Sequence, residues 1–444
     1  MADSDAPNLR SPIAPLAPDQ RRAAAIAGRD ARLPDWVVSG RPIVERPRYD
    51  SVIVVGAGIG GLCLAARLAR SPAFAGRVTI VGKPPEQNPR LIGGLTLRAR
   101  SLDYFAACLG IPRADLIEHL YGPHKAEVAS NRQIAARFDR DREGRYEIGP
   151  TGEWMSRWDH DGRVLSYGVR NSHMSGAIYD FMAGLDIAWH STKPASLDDC
   201  RGLARGSKPF VVVTEPMALP GAGGIPPNPK KFVVAAQLPF ADPQRRSRRV
   251  LPDNTSMLCG RRRNGSLDAS VWYPLRDPLS PDARYYGIFY KVVRGGVDLH
   301  RNAEIEVMKD NLLGVSAALG LEPVSPADTM GTAMIPCSDW RAIHEHTEGY
   351  LDLAKLANAG TPIICGDGML RAGLAAYVAG EALIAGVEPQ AHLNRAMRGW
   401  KWRNWLVYQA VGPSSLLGDT ALRWFPGMGL NLIQEFGETW AGVE

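Results

Sequence analysis

Residues 51–61 read Ser51-Val52-Ile53-Val54-Val55-Gly56-Ala57-Gly58-Ile59-Gly60-Gly61. The first five form a β-branched run of the kind a parallel strand buried on both faces requires. A glycine-rich turn follows at once. Leu62 to Ala69 is then rich in Leu and Ala and reads as a helix that stops near Ser71-Pro72. Val78 to Val81 reads as a second strand. Strand, glycine turn, helix and strand within roughly 30 residues make a βαβ unit.

Each glycine of the turn has its own reason. Gly56 permits the tight turn, Gly58 lets backbone approach a diphosphate, and Gly61 lets the helix pack close to the strand. Ile59 and Gly60 stand at the helix start, where free N–H groups and the positive end of the helix dipole favour an anion. A purely structural glycine turn is the plainer alternative, but the flanking strand and helix supply the context of a dinucleotide site. One feature departs from such a site. The second strand ordinarily ends in an acid that holds ribose hydroxyls. Here it ends Val81-Gly82-Lys83. Lys83 can meet a 2′-phosphate, which points toward NADP, or flank a ribose held otherwise; Glu86 is the nearest acid that could substitute.

A second turn lies far downstream. Ile363-Ile364-Cys365-Gly366-Asp367-Gly368 reads as a buried strand running into a turn, and a helical stretch follows to Ala385. One N-terminal fingerprint with a distant second turn suits FAD, whose ribityl chain and flavin ring need anchoring beyond the diphosphate. A carboxylate at Asp367 can accept a ribityl hydroxyl. An ordinary helix cap is the alternative.

The succession GAGIGG, GGLTLRARSLDYFAACLGI and IICGDGMLRAGLAAYVAGEALIAG resembles the flavin monooxygenases of the p-hydroxybenzoate hydroxylase type. Leu95, Leu97, Leu102, Phe105, Leu109 and Gly110 follow that family's spacing loosely. The resemblance covers under a quarter of the chain. It implies that Gly366 and Asp367 hold the ribityl chain, that Gly373 lies near the flavin ring, and that Arg98 or Arg100 sits close to the cofactor. It also implies insertion of one oxygen atom of O2 into an apolar or aromatic substrate through a flavin C4a-(hydro)peroxide, with NAD(P)H as electron donor, directly or through a flavin reductase. Two departures bear on this. Thr214-Glu215-Pro216 stands where the family has Asp-Gly, and the segment after Gly366-Asp367 is MLRAGLAAY rather than rich in Pro and Gly. They keep open a flavin dehydrogenase or reductase, a non-redox flavin cyclase on an apolar substrate, and a non-catalytic FAD-binding subunit.

The expected fold is α/β, an FAD-binding Rossmann-like domain interleaved with an antiparallel-sheet substrate domain and followed by a helical C-terminal segment. The divisions are an extension at 1–50, FAD-binding segments at 51–125, 171–225 and 336–390, substrate segments at 126–170 and 226–335, and a helical cap at 391–444. Alternation over 232–294 suggests the antiparallel sheet, and half of Trp272, Tyr273, Tyr285, Tyr286, Phe289 and Tyr290 are expected to line the pocket. No residue presents itself as a catalytic acid or base.

Composition narrows the rest. Hydrophobic residues make up 45% of 444, enough for a sizeable core. No apolar run approaches the roughly 18 residues of a spanning helix, and no secretory pattern opens the chain, so a cytoplasmic address is expected. The six cysteines form no CxxC pair, which argues for buried thiols rather than zinc or disulfides. The histidines show no ligand spacing, and no metal is expected; His344 and His346 read as surface residues. The net charge is +6, with surplus arginine at Arg245-Arg246, Arg248-Arg249 and Arg261-Arg262-Arg263. Without a nucleic-acid module these read as a solvated loop, and no nucleic-acid partner is expected. The aromatic tail from Trp400 to Phe436 can be a packed cap, a lid or an interfacial anchor.

Overall fold

β1 (Ser51–Val55) alternates its side chains between two buried layers, and both layers are built by the chain around it. The computed structural model describes residues 47–87, 94–121, 127–128, 130–135, 154–159, 166–192, 194–215, 231–245, 255–261, 267–275, 281–294, 301–326, 329–336, 347–357, 368–394 and 396–397. The expectations for the extension up to residue 46, for residues 362–367, for His344, His346, Arg246, Arg248, Arg249, Arg262 and Arg263, and for the aromatic tail lie outside these residues.

After β1 come α1 (Ile59–Ala69), β2 (Val78–Val81), β3 (Gly94–Arg98), α2 (Ala99–Leu109), α3 (Arg113–Tyr121), β4 (Glu127–Val128), β5 (Ser130–Ala135) and β6 (Trp154–Asp159). The chain continues through β7 (Ser166–Arg170), α4 (Asn171–Phe181), β8 (Ile187–His190), α5 (Leu197–Gly202), β9 (Pro209–Val213), β10 (Lys231–Ala241), β11 (Thr255–Arg261) and β12 (Leu267–Pro274). It ends its described course with β13 (Tyr285–Arg294), α6 (Arg301–Leu319), β14 (Glu322–Pro323), β15 (Gly331–Pro336), β16 (Tyr350–Asp352), α7 (Leu353–Ala357) and α8 (Gly368–Ile384).

Among the described residues five strands form a parallel sheet in the order β16-β9-β1-β2-β8. Val52 and Val54 join Phe210, Val212, Val78 and Ile80 beneath α1, α2 and α8. Ile53 and Val55 join Val211, Val213, Val81 and Tyr350 on the opposite face, where Cys200 of α5 packs. A strand covered on both sides has no solvent face, so every position is apolar or fully paired. The sequence reading placed β1 and β2 here. It did not anticipate β8 or β16, which are short and carry polar ends.

Among the described residues the second sheet holds eight strands, β14-β10-β13-β12-β11-β5-β6, with β15 also on β10. Most pairs are antiparallel, as the alternation implied, but β11 pairs with β5 in parallel. The cause is topological: β5 and β11 come from separate stretches of chain, so their relative direction is not set by a hairpin. α6 covers one face. Its Met308, Leu312, Val315 and Leu319 recur at helical spacing and pack on Val234, Ala236, Leu238, Phe240, Trp272, Tyr285 and Phe289. Gly287 leaves room for the indole, since a Cβ there would lie 2.4 Å from Trp272. A small sheet, β3-β7-β4, joins the two bodies. Gly168 of β7 comes so close to β12 that a Cβ would fall 2.3 Å from the Pro274 carbonyl oxygen.

Cys63, Cys108 and Cys200 are buried thiols, and burial pushes all three up from their ordinary values. Among the described residues no group of His, Cys, Asp and Glu could hold a metal, and no helix is long and apolar enough to cross a membrane.

Asp352 ends β16 and starts α7. Its Oδ1 accepts the Lys355 backbone N–H at 2.7 Å, and the Tyr350 hydroxyl donates to its Oδ2 at 3.5 Å. Burial pushes this carboxyl up to about 6, against the opposing effects of Lys355 and Tyr350. A raised folded-state value means that the stabilising contribution is complete below the ordinary carboxylate range and is lost as pH rises through about 6. Asp352→Asn, which keeps the capping oxygen, is expected to stabilise the protein at pH 7.5 by about 1–3 kcal/mol and to give no gain at pH 4; thermal unfolding at both pH values checks this.

Candidate functional site

The C-terminal edge of the parallel sheet is held in register one residue beyond the strands themselves. The Gly56 N–H donates to the Val81 carbonyl at 2.8 Å, the Thr214 N–H to the Val55 carbonyl at 2.8 Å, and the Gly82 N–H to the His190 carbonyl at 2.9 Å. The chain leaves β1 for β2 on one side, and β9 lies on the other. Such a reversal of direction is the place where open α/β sheets bind ligands, in a crevice at the carboxyl ends of the strands.

The glycine turn spans that crevice. Gly56 has φ +115°, which a side chain rarely adopts. A Cβ on Gly61 would lie 2.2 Å from the Gly56 carbonyl oxygen, so the first turn of α1 sits directly on the loop. Gly58 differs: among the described residues a Cβ there would meet nothing within 4 Å. Packing does not explain that glycine, and the open space faces the start of α1. Gly58 is also the helix N-cap, with no side-chain hydrogen bond and no acid in the first turn. The first N–H groups of a helix lack intrahelical partners. The end of α1 therefore combines free donors, a positive dipole end and room for an anion.

Gly60 and Gly373 are brought into one packed region. A Cβ on Gly60 would lie 3.6 Å from that of Ala372. Farther along, Arg67 of α1 pairs with Glu381 of α8. Early residues meet early and late meet late, so α1 and α8 run parallel and present their N-terminal ends side by side. Gly373 faces α2, where a Cβ would lie 3.0 Å from the Phe105 ring and 3.2 Å from the Tyr104 Cβ. Helix packing accounts for its lack of a side chain.

At Gly82, where the acid is absent, a Cβ would lie 3.0 Å from the Ala57 backbone nitrogen, a tight approach of the glycine loop. Lys83, the next residue, is exposed, as is Glu86. Arg98 ends β3; Gly366 and Asp367 lie outside the described residues, immediately before α8. Of the six pocket aromatics, Trp272, Tyr285 and Phe289 belong to the core beneath α6. Tyr273 and Tyr286 stack on the opposite face with ring centroids 5.6 Å apart, and Tyr290 shares that face by register.

Two residues here were not singled out as site residues by the sequence reading. Thr214 touches the glycine loop itself. Arg371 is fully buried on α8, one residue before Ala372. A guanidinium stays charged in proteins, so burial there demands compensation. A lone arginine inside the apolar run Met369 to Ala379 was the signal for it.

No protein-family model matches the chain, and comparison with curated proteins by sequence finds no match. Solved structures do match. Tetracycline destructase Tet(51) is 12% identical, with 88% of this chain and 98% of that one covered at a TM-score of 0.52. A structure of FqzB is 13% identical, with 88% and 90% covered at 0.55. The 2-methyl-3-hydroxypyridine-5-carboxylic acid oxygenase is 16% identical, with 89% and 100% covered at 0.51. The chain therefore has the fold of these proteins, a parallel α/β sheet joined to a larger, mostly antiparallel sheet.

Proposed function

We propose that this protein is an FAD-dependent monooxygenase that inserts one oxygen atom of O2 into an organic, apolar or aromatic substrate. The observation that carries the reading is the space at Gly58, beside an uncapped helix start at the reversal point of a parallel sheet. Those residues fit a diphosphate. The fold adds support, since it is shared with an oxygenase of an aromatic pyridine carboxylic acid and with tetracycline destructases.

In this reading Gly56, Gly58, Ile59, Gly60 and Gly61 hold the diphosphate through backbone. Lys83 flanks the adenosine end, a cation where an acid is usual. Gly366 and Asp367 take the ribityl chain, and Arg98 and Gly373 lie toward the flavin. Bound FAD, once reduced, supplies the electrons that activate O2, one atom entering the substrate and the other leaving as water. The chain's own residues orient the ring, exclude water and bind the substrate. Tyr290 is the proposed substrate-facing aromatic, because Trp272, Tyr285 and Phe289 serve the core beneath α6 and Tyr273 and Tyr286 pack in a buried cluster with Leu275 and Ala283. NAD(P)H is the proposed electron source, directly or through a flavin reductase.

The purified protein is expected to show flavin absorbance and to release FAD on denaturation; a colourless protein that takes up no added FAD sinks the reading. With an accepted substrate and NAD(P)H, with or without a flavin reductase, the oxygen label of 18O2 is expected in the product. Two glycine substitutions separate ligand from fold. Gly58→Asp adds a good N-cap and a like charge. It is expected to hold or raise the thermal midpoint while lowering FAD affinity at least about 100-fold, the loss of roughly 3 kcal/mol. Gly61→Ala forces a methyl group against the Gly56 carbonyl and is expected to destabilise the fold itself by about 3 kcal/mol.

A further inference from the structure

The hydroxyl of Thr214 sits where three elements converge. It donates to the Gly56 carbonyl at 2.9 Å, with the Val55 carbonyl farther off at 3.2 Å. A hydroxyl has one hydrogen, and the shorter contact takes it. The Thr214 backbone N–H already bonds Val55, which fixes the residue against the end of β1. On the other side, a Cβ on Gly61 would lie 2.6 Å from the Thr214 Oγ1. Strand end, glycine turn and first turn of α1 all close on this one oxygen.

The Gly56 carbonyl is the lever. Gly56 has φ +115°, and glycine has the widest backbone freedom, so the turn needs an external hold. Its peptide is planar and trans, so turning the carbonyl toward β9 fixes the Ala57 N–H in the opposite sense. Glu215 closes the same side, since a Cβ on Gly56 would lie 2.8 Å from its Cβ. We infer that Thr214 is a positioning residue for nucleotide binding, its hydroxyl holding the glycine turn in the shape that receives a diphosphate. This rests on the nucleotide reading above, and it gives Thr214-Glu215, which replaces the family's Asp-Gly, a role of its own. Thr214 touches no ligand in this role; it acts through Gly56.

The test compares Thr214→Val, which keeps the shape and removes the hydroxyl, with Thr214→Ser, which keeps the hydroxyl. The full chain is used throughout. FAD titration is expected to give a Kd about tenfold weaker or more for Thr214→Val, and within about threefold of wild type for Thr214→Ser. Hydrogen exchange without FAD is expected to rise about tenfold for the peptide over residues 51–62 of Thr214→Val, while β2, β8 and β10–β13 keep wild-type rates. Wild-type affinity and wild-type loop exchange in Thr214→Val overturn the proposal. So does exchange that speeds equally across the sheet, which marks a merely structural role, and so does failure of serine to rescue. If the wild type itself takes no FAD, the function above falls, while the exchange arm still decides whether Thr214 orders the loop. If Thr214→Val does not fold, Thr214→Ala against Thr214→Ser carries the same comparison.

Discussion

Close, parallel packing of α1 on α8 is the constraint on which the site depends. It requires small residues where the helices approach, and the chain supplies Gly60 against Ala372 at one end and Gly380 against Arg67 at the other. The Arg67–Glu381 ion pair fixes the sliding position of one helix along the other. Parallel helices bring like dipole ends together, which is mildly unfavourable by itself. An anion placed between the two N-terminal ends converts that disadvantage into binding energy. The packing that builds the core thus also sets two helix N-termini side by side.

The glycine turn shows how one residue type serves several physical needs within six positions. Gly56 is required by backbone conformation, Gly61 by contact with a carbonyl, and Gly58 by neither. That third case is informative because internal structure leaves it unexplained. The same loop also crowds the position after β2, where a Cβ on Gly82 would lie 3.0 Å from Ala57.

The large sheet divides its aromatic residues between two tasks. Strand alternation sends Trp272, Tyr285 and Phe289 into the core beneath α6, and Tyr273, Tyr286 and Tyr290 to the other face. The tight approach of Gly168 to the Pro274 carbonyl oxygen and the Tyr273 ring ties that face to the small sheet. The antiparallel body is thereby fastened to the parallel one at a fixed place.

The sequence alone determined the βαβ unit, because β-branched runs, glycine spacing and an alanine-leucine helix are local patterns with few competing readings. It determined α8 for the same reason, and it exposed the departures at Lys83 and Thr214. It could not reveal that β11 and β5 pair in parallel, because pairing between distant strands leaves no trace in either one. Nor could it tell which three aromatics face inward, since alternation gives two sets but not their sides. The tertiary structure alone decided that Thr214 closes on Gly56, that Ala57 covers Gly82 and that α8 lies parallel to α1. Each is a contact between segments far apart in the chain, and such contacts are set by how packed elements fit together rather than by the residues of either element.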